Sequence, residues 1–123
     1  LKKMNKILPI ILVVLFTYSS GAMALQFNCK IETPAAKHWP REAHIKLQGS
    51  SIFYVNGYKL HDADINWDYT YAHGKKYFEE HYILWSFYSV SNRLFVQKFI
   101  KNNSWFGSDE HLYTDGYFCE LRS

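Results

Sequence analysis

The chain has 123 residues, 48% of them hydrophobic and 19% aromatic, and a formal net charge of +3 at pH 7. Three of its fourteen basic residues, Lys2, Lys3 and Lys6, sit at the start, so the chain from residue 25 on is formally neutral. A neutral stretch without a basic cluster argues against nucleic acid or an anionic membrane surface as partner, and its length fits one small domain.

Residues 7–18 form an apolar run after the basic head, and Ala22-Met23-Ala24 follows. A basic head, a short apolar core and a small-residue end describe a secretory signal peptide cut after Ala24. The run contains Pro9 and is shorter than the roughly 20 apolar residues that span a bilayer. Residues 1–24 therefore read as a signal peptide in helical form, and residues 25–123 as a single β domain without a stable membrane anchor. The expected destination is the periplasm or the outside of a bacterial cell.

The domain then holds two cysteines, Cys29 and Cys119. An even count in an exported chain implies a disulfide, here one enclosing almost the whole domain.

Residues 25–32 alternate, with Phe27, Cys29 and Ile31 on one face, and predict a first strand. Residues 33–41 carry Pro34 and Pro40 and predict a loop around Trp39. Ala43, Ile45 and Leu47 predict a half-buried strand. Residues 52–55 return, and Asn56-Gly57 is a hairpin signal, since both residues tolerate positive φ. Tyr58 and Leu60 begin a short strand. Ile65, Trp67, Tyr69 and Tyr71 alternate with Asn66, Asp68 and Thr70 and predict a strand over 65–71, with Trp67 in the core. Residues 72–76, containing Gly74, read as a turn.

Residues 77–90 read as one long strand, apolar on both faces over its second half. That pattern suits a central, covered strand. Ser91-Asn92 is a turn, residues 94–100 a strand, 101–110 a polar loop, and 111–121 the last strand, with Gly116 as a bulge site. No helical period occurs after residue 24. The fold expected is all-β, an antiparallel meander of about seven strands forming a small barrel or compact sandwich. A Cys29–Cys119 bond would tie its first strand to its last.

No nucleophile elbow, zincin helix or phosphate loop is present. Glu79 and His81 share a strand face, too few groups for zinc, so no metal site and no cofactor is expected. Asp62 and Asp64 read as turn chemistry. Arg93 is either a surface arginine at a turn or one that packs on an aromatic ring or caps a barrel end.

The informative surplus is aromatic. Trp39, Trp105 and Phe106 fall in loops rather than strands, as candidate contacts for an unknown protein or glycan partner. The competing reading makes them plugs for the barrel ends.

On Phe27-Asn28-Cys29-Lys30, Ile65-Asn66-Trp67, Ser91-Asn92-Arg93-Leu94 and Tyr117-Phe118-Cys119, the chain resembles a group of small exported two-cysteine all-β proteins of bacteria, a functionally uncharacterised group. More weakly it is similar to the periplasmic inhibitors of C-type lysozyme in size, β content, export and terminal cysteines. Their Ser-Gly and Trp-x-Lys-Gly loops have no counterpart here. The function expected is a non-enzymatic binding or interaction module of the bacterial envelope. The alternatives are a C-type lysozyme inhibitor, a barrel pocket for an apolar ligand and, last, a small enzyme.

Overall fold

Alternating side chains carry most of the chain into strands, and the strands into one sheet that curls on itself. The computed structural model describes residues 24–32, 38–102, 104–105 and 107–122. Except for Ala24, the expected signal helix lies outside them, and so does Phe106.

Nine strands follow one another: β1 (Ala24–Ile31), β2 (Glu42–Gln48), β3 (Ile52–Val55), β4 (Tyr58–Lys59), β5 (His61–Ile65), β6 (Tyr71–Tyr77), β7 (His81–Tyr88), β8 (Arg93–Ile100) and β9 (Glu110–Leu121). They form one antiparallel sheet in the order β4-β3-β2-β1-β9-β8-β7-β6-β5. The architecture is a nearly closed barrel, with no helix among the described residues. Consecutive strands pair, except β4 and β5, which form the two edges of the sheet, and β1 pairs in addition with β9.

Two seams close the sheet. At one, β1 lies between β2 and β9, and Cys29 stands directly opposite Cys119. The two sulfurs are bonded, joining cysteines 90 positions apart in sequence, with 4.0 Å between their Cα atoms. At the other seam β5 approaches β3 without a full ladder. The Leu60 N–H donates to the Phe53 carbonyl at 2.8 Å, and the Ile65 N–H to the Ser50 carbonyl at 2.8 Å. Asp62 lies between these two bonds with φ of 52° and interrupts the pairing.

Inward positions form the core. Phe27, Ile45, Leu47, Phe53, Phe87, Leu94, Val96 and Tyr117 are buried there with the disulfide. Phe27 and Phe87 meet with ring centroids 4.6 Å apart. Outward positions of β1 and β2, such as Asn28, Lys30, His44 and Lys46, are polar. Apolar side chains thus fill the barrel and polar ones coat this face, the reverse of a barrel that faces lipid.

Three readings of the sequence need correction. The segment 65–71 is no strand. Its Asn66–Thr70 portion is a turn, in which the Asn66 N–H donates to the Tyr71 carbonyl and Thr70 donates to Asp68 through both its N–H and its hydroxyl. Trp67 therefore projects into solvent, 89% exposed, instead of entering the core. Residues 72–76 are no turn but the middle of β6. Alternation is present there and is masked because the inward residues, Ala72 and Gly74, are small. The long strand over 77–90 is two elements. A turn at Phe78, Glu79 and Glu80, closed by the Phe78 N–H on the His81 carbonyl, separates β6 from β7. Asp62 and Asp64, read from the sequence as turn chemistry, lie instead in β5, a further strand, and the sheet has nine strands rather than about seven. The bulge also moves. Gly116 pairs regularly with Phe95, and the register slips between Lys98 and Phe99, leaving Leu112 as the extra residue of β9.

Gly74 is where β6 meets the second seam. A Cβ built there would lie 2.8 Å from the Leu60 Cβ and 2.9 Å from its Cδ1. Replacing Gly74 by Ala forces the two strands apart and should destabilise by about 1–3 kcal/mol, a fall in Tm of roughly 5–20 °C for a domain of this size. An unchanged thermal melt would mean that β5 does not close against β6 at this point.

Candidate functional site

Call the barrel end that carries the β6–β7 turn and the loops before β2 and β9 the loop end. Three of the four tryptophans are placed by it. Trp39 arrives on the loop between β1 and β2. The Ile31 N–H donates to the Arg41 carbonyl at 2.8 Å, and the Tyr117 hydroxyl donates to the Pro40 carbonyl at 2.5 Å, so the loop is tied down on both sides of the barrel wall. Trp39 folds inward to 9% exposure. Its ring meets Tyr113 at 5.6 Å and Trp85 at 6.2 Å between centroids, both edge to face. Tyr113 stacks on His38 from the other side at 4.3 Å. Of the two readings of Trp39, the structure gives the plug. It is not an exposed anchor: its ring is buried against Trp85 and Tyr113.

Beside the plug is a recess of about 310 Å³, half open to solvent. It is lined by Trp39, Pro40, Val55, Leu60, Ile83 and Trp85, together with the polar groups of His38, Asn56, Tyr58 and Lys76. It opens at the second seam, where β4 hands over to β5 at Leu60. The Lys76 ammonium lies 4.4 Å from the Tyr58 ring centroid and 5.5 Å from that of Phe78, a cation held over aromatic faces. The Trp39 Nε1–H is buried and has no hydrogen-bond partner among the described residues. A buried donor left unpaired costs about 1–3 kcal/mol. The lining holds no carboxylate and no thiol. It offers apolar contact, the polar groups of His38, Asn56 and Tyr58, and one ammonium, which is equipment for binding.

Trp105 behaves in the opposite way. It stands 96% exposed in the loop between β8 and β9. The stem of that loop is clamped by Asp109, which accepts from the Asn102 N–H at 2.8 Å and from the Tyr82 hydroxyl at 2.9 Å. The Asn102 N–H first, and the Tyr82 hydroxyl second, hold the Asp109 carboxyl below its usual range. Burial, and then the bond to Asp109, push the Tyr82 phenol up to about 12. Burial likewise pushes Tyr117 up to about 12, with the Asp115 charge adding to it.

The other sequence candidates fall apart. Glu79 lies in the β6–β7 turn and does not share a strand face with His81, whose ring stacks on Phe78 at 4.4 Å. Asp62 accepts from the Tyr77 hydroxyl, and Asp64 sits 3.8 Å from His73. Arg93 pairs with Glu32 rather than with an aromatic ring. Trp67 is the exposed aromatic that sequence reasoning missed. Its flanking Asn66 and Asp68, both turn formers, are the signal that could have outweighed the alternation. No protein-family model, no curated protein and no solved structure matches the chain.

Proposed function

We propose that this domain is a non-enzymatic interaction module of the bacterial envelope, periplasmic or secreted, which meets a protein or glycan partner at the loop end of its barrel. The observation that carries this reading is Trp105, an indole almost wholly in solvent on a loop whose stem is pinned. A free aromatic on a preorganised stem contributes large contact area at small entropic cost. The disulfide supports an oxidising compartment.

Trp105→Ala separates binding from folding. Surface substitutions usually change stability by about 0.5 kcal/mol or less, so its Tm should stay within roughly 2–4 °C of the wild type. Capture of a partner from envelope extracts on the immobilised domain should weaken by about thirtyfold, the equivalent of a hot-spot loss of about 2 kcal/mol. Undiminished capture by the variant would remove Trp105 from the contact. Stoichiometric inhibition of a C-type lysozyme that survives Trp105→Ala would replace this reading with the inhibitor one.

A further inference from the structure

We infer that the recess beside Trp39 is a binding site for a small aryl carboxylate, separate from the contact made by Trp105. Its volume of about 310 Å³ falls at the small end of the roughly 300–1,000 Å³ typical of ligand pockets. Its walls are mostly rings and branched side chains, Trp39, Trp85, Tyr58, Leu60 and Ile83 among them. Such walls select a flat apolar body.

Two polar features fix the other half of the ligand. The first is Lys76. Among the described residues the ion pairs are Glu32–Arg93 and Asp64–His73, so the Lys76 ammonium has no carboxylate partner within 4.0 Å. It rests over the Tyr58 ring at the edge of the recess. The second is the rest of the polar lining, His38, Asn56 and Tyr58, which can donate to an oxygen acceptor and includes no carboxylate. A cation beside neutral donors, with no carboxylate in the lining, calls for an anion with oxygen acceptors. A carboxylate on an aromatic body meets both demands. A cationic ligand meets neither, and a neutral one leaves the ammonium unmatched.

The charge series 2-naphthoate, 2-naphthalenemethanol and 2-naphthylmethylammonium tests this on the unaltered protein by isothermal titration calorimetry. Naphthoate should bind one to one, and about tenfold more tightly than the alcohol, the usual weight of one charge-assisted contact. The ammonium should bind least. Lys76→Gln should remove the tenfold advantage of naphthoate while leaving the alcohol's affinity unchanged. In a ¹⁵N–¹H spectrum the Trp39 indole cross-peak, identified by its loss in Trp39→Phe, should shift on saturation with naphthoate because its ring lines the recess, while those of Trp67 and Trp105 stay. Trp105→Ala should bind naphthoate like the wild type, so the two proposals fail independently. Equal affinity for all three probes would overturn the inference. So would no saturable heat at about 1 mM, or movement of the Trp67 or Trp105 peaks alone, which would indicate stacking on exposed indoles.

Discussion

Replacing both Cys29 and Cys119 by alanine should lower the Tm of the domain by about 15–40 °C. Closing a loop between cysteines 90 positions apart restricts the unfolded chain by roughly 4–5 kcal/mol in the chain-entropy model, and each kcal/mol is worth about 4–8 °C in a domain of about 100 residues. The position of the bond makes that full amount plausible. Cys29 and Cys119 are already directly opposed in the β1–β9 register. Both lie buried in the core, and the Cys119 N–H bonds outward to the Asn92 carbonyl at 2.7 Å. The native ladder therefore holds the two residues together with or without the sulfurs, so the bond acts mainly on the unfolded state. The double variant should keep its β circular dichroism at low temperature and melt early. A Tm shift below about 5 °C would show that the unfolded chain is already held compact by other contacts. Loss of the fold at all temperatures would show that the β1–β9 seam cannot form without the link.

The disulfide was legible because it follows from arithmetic and not from local pattern. Two cysteines leave one pairing, and its closure of the sheet is borne out by the direct opposition of Cys29 and Cys119. The hairpin at Asn56-Gly57 was legible for a different reason. Only a turn with positive φ at both residues needs that pair, and the two angles are 50° and 82°. Failures came where alternation was the sole guide. Period two in residues 65–71 ran straight through a turn, because Trp67 and Tyr69 keep the spacing that Ile65 begins. Period two in β6 went unread because its inward residues are Ala72 and Gly74. In both places the side-chain size demanded by the fold departed from the hydrophobic code. Gly74 is small since Leu60 presses on it from the other strand, a contact fourteen positions away in sequence. The recess was illegible for the same kind of reason. Trp39, Tyr58, Lys76 and Trp85 come from four separate segments, and nothing local in any of them says that they share a wall.

The sequence left one choice open that a single substitution resolves, namely whether Trp39 is a plug or an anchor. Truncating a buried tryptophan to alanine typically costs about 3–5 kcal/mol. Trp39→Ala also removes the unpaired indole N–H, whose burial costs about 1–3 kcal/mol, so part of the loss returns. The net expectation is a loss of about 2–4 kcal/mol, or roughly 10–30 °C in Tm. The loss should be felt beyond the side chain itself. Tyr113 and Trp85 lose an edge-to-face neighbour, and the loop that ends in the Pro40 carbonyl's bond with Tyr117 loses its weight on the barrel. Trp39→Phe discriminates further. It keeps most of the ring contact and deletes only the donor, so it should stay within about 1 kcal/mol of the wild type. If the indole N–H were paired after all, Trp39→Phe would instead strand its acceptor and cost about 1–3 kcal/mol more than that. Thermal melts of Trp39→Ala, Trp39→Phe and Trp105→Ala should therefore rank with the first far below the other two. A Trp39→Ala melt that coincides with that of Trp105→Ala would place both indoles on the surface and return Trp39 to the partner contact.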